Sequence, residues 1–460
     1  MMAGASLSLR HLVRRDDVSN VLLDYVQAAL ITSGPWIMTV AAVAAVSLLG
    51  LDYADPHEMA VFRSVLIYNF AFSLVLSGPI LLVATRTLSN ALYSGTVSSG
   101  RGILISALAL VSGVGALTAV PFYGLASDLA PAVRVAATGN YFVVAGIWVG
   151  GVFQVKQRDI QVVTGVFLIG MITAVAASIG LAVKFGMAGL ILGFTAGLAV
   201  IEFTLIAHVL RSYPAGPLPP MAWLGQFRTY WPLAVAGFVT PAAVWGDKWV
   251  MWLSPEGRTF GGLMRQYPLY DSAMFLAFLT MVPAIALFTV FVKTEFLDHY
   301  RAFYASIERH DTLARIRRHH QRIVDSLLAG GRQLLILQVV VSVSIAVLAP
   351  AIIELARLHY VQLSIFRLGT LGAGFHVSFI CISILLLYFD LRRPYLWLQL
   401  LFGVANVGLT TAFLPLGFAY YGLGYFVASA LCFAVSAVTL YWSVNRLPYL
   451  AFVANNPSVR

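Results

Sequence analysis

Two oppositely charged residues stand side by side in an apolar stretch of the chain, within the run Trp245-Gly-Asp-Lys-Trp249. A helix turns about 100° per residue, so we expect Asp247 and Lys248 to point apart and each to need a partner on another helix. Ionisable side chains inside a membrane span are costly and typically functional. If this stretch crosses a membrane, the pair is therefore a candidate gate or brace between helices.

Other polar residues interrupt other apolar stretches. Glu202 is a carboxylic acid, and binding a proton or a cation removes the cost of placing a carboxylate in lipid. We therefore interpret Glu202 as the candidate for binding a coupling ion. Asn69 and Asn140 are uncharged, and such amides either line a cavity or hydrogen-bond between helices. They are the polar candidates for a substrate path.

Aromatic residues make up 13% of the chain, and some of them stand beside small or helix-bending residues. Most aromatics near the ends of spans belong to interfacial belts. Trp36 follows Gly34-Pro35, however, and Trp245 and Trp249 flank the charged pair. A ring face at such a position can pack against the C–H face of a sugar, so these three tryptophans are the aromatic candidates for a substrate path.

The composition explains why these residues stand out. Hydrophobic residues make up 60% of the 460 residues, charged residues only 10%, and the mean hydropathy is +0.86. A bilayer core of roughly 30 Å is crossed by about 20 residues of helix, and continuous apolar stretches predict helices where a β-barrel would show short alternating segments. The sequence thus predicts an all-α polytopic membrane protein with about twelve transmembrane helices in two pseudo-symmetric six-helix lobes. The predicted spans are approximately 21–49, 61–84, 103–125, 132–154, 160–183, 187–210, 230–253, 270–293, 333–352, 363–389, 394–417 and 420–444.

Enzyme chemistry has little support in the sequence. No nucleophile–base triad, phosphate loop, dinucleotide fingerprint or zinc spacing occurs. The two cysteines, Cys381 and Cys432, both lie in predicted spans, which indicates packing and no disulfide framework. We expect no enzymatic activity, no cofactor and no metal site.

Lysine and arginine set the expected orientation. Of the 29 such residues, 21 fall in segments on the N-terminal side of the membrane and five in the opposite loops. Because cytoplasmic loops are enriched in these residues, both termini are expected in the cytoplasm of a bacterial inner-membrane protein. The net charge of +10 then reflects topology, and nucleic-acid binding is unnecessary to explain it.

This topology brings four charged residues to the outer leaflet: Asp247, Lys248, Arg63 and Arg367. Asp247 can pair with Arg63 across the two halves, as an outer gate. It can also pair with Arg367 within the C-terminal half, as a static brace, and charges near the ends of spans can snorkel to the interface. The sequence leaves these alternatives open.

A proline-rich stretch at 214–220 divides the predicted spans six plus six. Each half opens with a helix that a proline is expected to interrupt, Pro35 in the first and Pro241 in the second, as in transporters with internal repeats. The expected domains are a cytoplasmic amphipathic segment 1–20, an N-lobe 21–213, an inter-lobe linker 214–229 and a C-lobe 230–460.

The C-lobe contains the only long cytoplasmic connection, a basic amphipathic segment at 294–332. Apolar residues recur there three or four positions apart among clustered arginines, which predicts a helix, and Gly330-Gly331 is expected to end it. One interpretation is a helix that lies on anionic lipid. The other is a dock for a cytoplasmic partner through Arg315, Arg317 and Arg318.

Four motifs taken together resemble the PelG family, and the likeness extends over nearly the full length. The motifs are Leu9-Arg-His-Leu12, Tyr25 with Ser33-Gly-Pro-Trp36, Gly246-Asp-Lys-Trp249 and Leu387-Tyr-Phe-Asp-Leu-Arg-Arg393. The resemblance implies the MOP flippase superfamily, whose MATE-like and Wzx-like members have two six-helix lobes around a central cavity and work by alternating access.

The resemblance also implies a cargo and partners. The cargo is an N-acetylgalactosamine-rich exopolysaccharide of the biofilm matrix, carried from a cytoplasmic synthase to the periplasm. Partners besides membrane lipids are PelD-like and PelE-like membrane proteins and a PelF-like cytoplasmic glycosyltransferase. Deacetylation follows in the periplasm, so the crossing chain should be largely neutral and its path should carry few fixed charges.

Two other functions remain open. An ion-coupled, MATE-like exporter of small cationic molecules would need an essential membrane carboxylate such as Glu202. A flippase for lipid-linked oligosaccharides would need a basic cavity.

Overall fold

The computed structural model describes residues 18–94, 99–125, 127–154, 160–213, 221–450 and 452 of the chain. Side chains are described from Gly34 onward, except at 160–162 and 222. The expected amphipathic segment 1–20 therefore lies almost wholly outside the described residues, and so does the proline-rich stretch 214–220. The described chain is helical apart from its connections and one antiparallel hairpin, β1 (Arg258–Phe260) with β2 (Met264–Gln266), and the predicted all-α class is confirmed.

The chain packs as two compact units, Ser33–Tyr267 and Pro268–Arg460, the second of which also includes the described residues from Val18 to Thr32. The long helices up to Tyr267 are α1 Val18–Leu49, α2 Pro56–Tyr93, α3 Ser99–Leu125, α4 Pro131–Phe153, α5 Ile160–Ser212 and α6 Trp231–Leu253. Short helical turns occupy Gly50–Asp52, Ala222–Gly225 and Gln226–Thr229.

The start of α2 is encoded locally. The Asp55 side chain accepts a hydrogen bond from the Glu58 N–H at 2.7 Å, and the Glu58 carboxylate accepts one from the Asp55 N–H at 3.2 Å. Pro56, at the first helical position, has a fixed φ and lacks an N–H that would need a partner. This capping box begins the helix immediately after the preceding turn.

Helix α5 folds back on itself. Gly186 has φ 54° and ψ −135°, a conformation that favours glycine, and it separates two helical halves. Gly189, Gly193 and Gly197 then lie against the first half, where their Cβ atoms would collide with the backbone at Leu181, Ala177 and Gly170 respectively. The 53-residue helix is thus two closely packed antiparallel segments, at the positions predicted for the fifth and sixth spans.

Helix α6 belongs to the first unit because its backbone touches that of α2. A Cβ atom on Gly78 would collide with the Gly237 carbonyl, and one on Gly237 would collide with the Gly78 carbonyl. Small residues allow such close approach between membrane helices. The two units meet in sequence at Tyr267, whereas the expected lobes were separated by the linker 214–229. The contact with α2 is the reason, because it holds α6 to the helices that precede the linker.

The prolines near the openings of the two expected lobes lie inside helices that continue past them. Helix α1 continues through Pro35, and the Thr39 hydroxyl donates to the Pro35 carbonyl at 2.8 Å. Helix α6 continues through Pro241. Pro241 has no N–H for the Gly237 carbonyl four residues earlier, and that carbonyl is the group that lies against Gly78.

Ten helical stretches of the described chain are long and apolar enough to cross a membrane. The two antiparallel segments of α5 count as one of these stretches, and α6 is not among them. The number of spans is therefore close to the expected twelve, and the chain is a multi-pass membrane protein.

The second unit continues the helical pattern. Its long helices are α7 Pro268–Leu279, α8 Val282–Phe291, α9 Leu297–Glu308, α10 Leu313–Leu355, α11 Gln362–Tyr388, α12 Arg392–Phe413 and α13 Leu423–Asn445. A π-helical turn, Val292–Phe296, joins α8 to α9. Short helical turns occupy Leu414–Leu416, Phe418–Tyr420 and Leu447–Tyr449.

The basic amphipathic segment forms a hairpin from α9 and the first part of α10. Its apolar face, with Phe303, Ile316 and Ile323, is buried in one core with residues of α11 and α13. His320 Nε2 also hydrogen-bonds to the Val444 carbonyl at 2.8 Å. The segment is helical and amphipathic as predicted, but its apolar face packs within its own unit and is not available to a lipid surface.

The expected helix stop at Gly330-Gly331 is wrong, because α10 continues without a break to Leu355. The Phe291 ring occupies the space that a side chain on Gly330 would fill. This glycine therefore serves close packing and does not terminate the helix.

Candidate functional site

Asp247 and Lys248 are buried on α6 and contact each other. Lys248 Nζ lies 3.2 Å from both oxygens of Asp247, whose side chain is 0% exposed, and 3.4 Å from the Val244 carbonyl. The expectation that adjacent residues cannot pair is wrong. Helical side chains lean toward the N-terminus, and the long lysine stem lets the ammonium group reach back over the previous residue.

The structure does not join this pair to Arg63. Helices α2 and α6 touch at Gly78 and Gly237. At a rise of 1.5 Å per residue, Arg63 lies about 22 Å along α2 from this contact and Asp247 about 15 Å along α6, so the two residues are at different distances from it. Arg63 is exposed and forms no hydrogen bond or ion pair with any described residue. Arg367 lies in the second unit, where its Nε donates to the Ala346 carbonyl at 3.1 Å.

Stacked aromatic rings line the contact between α2 and α6 next to the charged pair. Phe72 stacks on Trp249 with centroids 5.5 Å apart and an interplanar angle of 5°, and Tyr68 stacks on Trp252 at 5.2 Å and 11°. Trp245 packs against Trp252 at 5.8 Å. Two of the three predicted tryptophans therefore meet in one array.

The charged pair is connected to this array. Lys248 Nζ lies 6.0 Å from the centroid of the Trp245 ring, within the range of a cation–π contact. Trp36, the third predicted tryptophan, is on α1 and is 39% exposed. It follows Pro35 as the sequence shows, but its ring is not part of the α2–α6 array.

Tyr68 ties the array to the β1–β2 hairpin. Its hydroxyl donates to the Arg265 carbonyl at 2.9 Å and accepts from the Arg265 N–H at 2.7 Å. The Arg265 guanidinium in turn donates to the Ser254 carbonyl, just after α6, at 3.2 Å. Sequence reasoning missed Tyr68 because a single tyrosine in an apolar span carries no periodic signal.

Asn69 and Asn140 form a buried hydrogen-bond network. Asn69 Nδ2 donates to Asn140 Oδ1 at 2.9 Å and to the Ala137 carbonyl at 2.9 Å, while Asn69 Oδ1 accepts from the Tyr123 hydroxyl at 2.7 Å. Asn140 Nδ2 donates to Thr195 Oγ1 at 2.9 Å. The network joins α2, α3, α4 and α5, so both amides connect helices, and sequence reasoning missed their partners Tyr123 and Thr195.

A cavity of about 160 Å³ lies between the aromatic array and this network. Its walls include Tyr68, Phe72 and Phe122, and Asn69 and Tyr123 stand at its polar side. Its lining contains no charged residue. A cavity with aromatic walls and no charged residue in its lining suits a neutral ligand better than an ion.

Glu202 lies in the second half of α5 and packs against α4. Its carboxylate sits over Gly146, where a side chain on that residue would collide with it. The side chain is half-buried and forms no hydrogen bond or ion pair with a described residue. Glycine at position 146 therefore makes room for a carboxylate that the described protein groups do not neutralise.

The three predicted docking arginines lie on the first turns of α10. Arg315 forms an ion pair with Asp311 at 3.0 Å, and its side chain is 62% exposed. Arg317 and Arg318 are exposed and have no hydrogen bond or ion pair with any described residue. No group of three or more His, Cys, Asp or Glu side chains suited to a metal ion occurs in the part of the chain that the structure describes.

The buried pair makes a testable contribution to stability. Asp247→Leu and Lys248→Met should each destabilise the protein by about 3–5 kcal/mol, because each removes the opposite charge that lies against a buried charge. The double variant should recover most of this loss, as measured by thermal unfolding of the purified protein. Arg315→Met removes an exposed ion pair and should cost only about 0–1 kcal/mol. Additive losses in the double variant would contradict the pairing.

The fold is that of known membrane transporters. The structure matches "Crystal structure of MATE in the straight conformation" with a TM-score of 0.65 and 14% identity, over 93% of this chain and 96% of that one. It matches "Outward-facing conformation of a multidrug resistance MATE family transporter of the MOP superfamily" with a TM-score of 0.66 and 14% identity, over 98% and 100%. It also matches a MOP superfamily transporter from Pyrococcus furiosus with a TM-score of 0.65 and 13% identity, over 97% of this chain and 99% of that one. These identities show the fold alone.

The sequence itself shows the family. No protein of curated function matches the chain significantly. Residues 2–452 match PelG, described as "Putative exopolysaccharide Exporter (EPS-E)". Together with the MATE-type fold, this match confirms the resemblance seen in the sequence motifs and indicates a transporter and not an enzyme. The chain therefore belongs to the PelG family of exopolysaccharide exporters.

Proposed function

We propose that the protein carries a growing Pel-type, N-acetylgalactosamine-rich polysaccharide from a cytoplasmic synthase across the bacterial inner membrane to the periplasm. The observation that carries the proposal is the family match over residues 2–452, which supports an exopolysaccharide as the cargo. The excess of lysine and arginine on one side supports cytoplasmic termini and hence the outward direction.

The geometry of the first unit fits this cargo. The cavity beside Phe72 and Phe122 offers aromatic faces, and the polar residues at its edge, Asn69 and Tyr123, are uncharged and hydrogen-bonded to each other. Cationic cargo would call for carboxylates in such a cavity, and lipid pyrophosphates would call for basic groups. The lining of this cavity contains neither, which favours a neutral saccharide.

Reconstitution tests the proposal directly. Inverted vesicles with the protein in their membrane, supplied with its cytoplasmic glycosyltransferase and the sugar nucleotide on the outside, should accumulate polymer in the lumen, where added glycosidase cannot digest it. Phe122→Ala should lower the protected fraction, because it removes one aromatic wall of the cavity. Leu117→Ala is the control, since Leu117 lies on the same helix but is 80% exposed. Polymer that remains fully digestible with the wild-type protein would overturn the proposed function.

We further propose that the α9–α10 hairpin docks the synthase complex of PelF-like, PelD-like and PelE-like proteins. The support is its shape and charge. The apolar face is buried in the second unit, so the hairpin presents Arg317 and Arg318 outward on a fixed helix. Arg315, already paired with Asp311, contributes less free charge to this surface.

The charge-reversed variant Arg317→Glu/Arg318→Glu should lower secreted polymer by about tenfold or more, because like charges placed across an interface cost several kcal/mol. The protein should remain in the membrane at wild-type amount, since both side chains are exposed. Arg258→Glu, at an exposed position in the β1–β2 hairpin, is the matched control. Normal secretion by the double variant, measured with an antibody or lectin against the polymer, would rule out this dock.

Ion-coupled transport is the second candidate, and Glu202 is the observation in its favour. A half-buried carboxylate with no described partner can bind a proton or a cation, and either would neutralise it in the span. Coupling of this kind would supply energy to a polysaccharide exporter, or it would mark the chain as a MATE-like exporter of small molecules.

Glu202→Gln keeps the shape of the side chain but cannot ionise. If transport is ion-coupled, this variant should lose cargo accumulation driven by a proton or sodium gradient in proteoliposomes, while polymer synthesis by the glycosyltransferase continues. Glu354→Gln, at an exposed position near the end of α10, should behave as wild type. Full gradient-driven transport by Glu202→Gln would exclude this carboxylate as the coupling group.

A further inference from the structure

The second unit contains an apolar groove of about 460 Å³ that the transport proposal does not use. Helices α8, α10, α11 and α13 form its walls. Phe288, Phe291, Cys381, Leu385 and Leu440 are among the residues that line it. Because ligand cavities of this size and character bind apolar groups, the interior suits a hydrocarbon chain.

The exposed residues of α10 locate this groove at the edge of the membrane. After Arg332, the exposed positions include Leu335, Ile336 and Val339, which is the pattern of a helix face in contact with lipid. Before Arg332, the same helix exposes Arg318 and other basic residues. The apolar part of α10 therefore begins at about Arg332, which lies on the rim of the groove.

Helix α13 marks the same boundary independently. Tyr441 and Trp442 are 65% and 57% exposed near its end, as in the aromatic belts of membrane proteins. Asn445 and Arg446 follow, and the Arg446 guanidinium lies 5.3 Å from the centroid of the Trp442 ring. Tyr441 and Asn445 both line the groove, so both helices leave the lipid at its mouth.

The rim is polar and carries positive charge. Arg332 and Asn445 are exposed and have no hydrogen bond or ion pair with a described residue. Basic pockets between transmembrane helices on the cytoplasmic side recognise anionic head groups, and guanidinium groups bind phosphate well. An apolar interior with an arginine at its mouth is complementary to an amphiphile with a negative head.

We propose that this groove binds an anionic phospholipid of the adjacent leaflet, with an acyl chain between α10 and α13 and its phosphate on Arg332 and Asn445. The proposal goes beyond polysaccharide transport and does not depend on it. It assigns lipid binding to the middle of α10, which lies after the docking arginines in the chain. A bound lipid here would also join the α9–α10 hairpin to the membrane without the hairpin lying flat on the surface.

A photoactivatable phosphatidylglycerol provides the test, with the full-length protein in nanodiscs of phosphatidylcholine. Its label should map to peptides of α10 and α13 around the groove. Arg332→Gln should reduce labelling about fivefold, the effect expected for one cationic contact at a membrane surface. Arg357→Gln, an exposed arginine just after the other end of α10, should leave labelling unchanged.

Position 331 provides a second variant that does not alter charge. A Cβ atom on Gly331 would meet open space, so Gly331→Phe can place a ring in the groove, whereas Gly331→Ala adds only a methyl group. The phenylalanine variant should lose labelling and the alanine variant should retain it. Each variant is first checked for wild-type unfolding temperature, and the exposed Arg332→Gln remains decisive if Gly331→Phe fails to fold.

Three results would overturn the proposal. A phosphatidylcholine probe that labels the groove equally well would show a general lipid contact without head-group recognition. Labelling that resists both Arg332→Gln and Gly331→Phe would place the lipid elsewhere. Absence of label in this groove, with a partner membrane protein crosslinked there in cells, would assign it to a protein–protein interface.

Discussion

The close approach of α2 and α6 at Gly78 and Gly237 is the contact on which the first unit depends. Lipid tails are as apolar as leucine, so membrane helices associate largely through packing, and only residues without side chains let two backbones touch. Once this contact forms, Phe72 meets Trp249, and Tyr68 meets Trp252. The same packing holds α6, with its buried Asp247–Lys248 pair, against α2, which ends more than a hundred residues earlier in the chain.

Two clusters of polar groups inside this unit follow one physical rule, because lipid provides no hydrogen bonds. Asp247 and Lys248 neutralise each other, and Asn69 and Asn140 complete a network across four helices. What remains beside them is an uncharged, aromatic cavity, which fits a family of exopolysaccharide exporters. Glu202 departs from the rule, and that departure makes it the residue through which an ion gradient could act.

The second unit shows how one long helix serves two environments. Helix α10 begins as the basic arm of a hairpin and ends as a lipid-facing span, with no break at Gly330-Gly331. Burial of Phe303 and Ile323 fixes the hairpin to the unit. The exposed arginines and the lipid-facing span belong to the same continuous helix, so a force applied to the arginines is transmitted to the span. The groove lies where the two environments meet.

The sequence by itself determined the membrane class, the positions of most spans, the amphipathic hairpin segment and the family, because hydropathy, periodicity and short motifs are local properties of the chain. It also identified Asp247, Lys248, Glu202 and the asparagines as exceptional, because each conflicts with its apolar surroundings. Only the tertiary structure decided their partners. The lysine stem folds back onto Asp247. The partners of the two asparagines, Tyr123 and Thr195, come from other helices. Helix α6 follows the linker in sequence but packs in the first unit. These outcomes depend on side-chain rotamers and on contacts between distant segments, which no local pattern encodes.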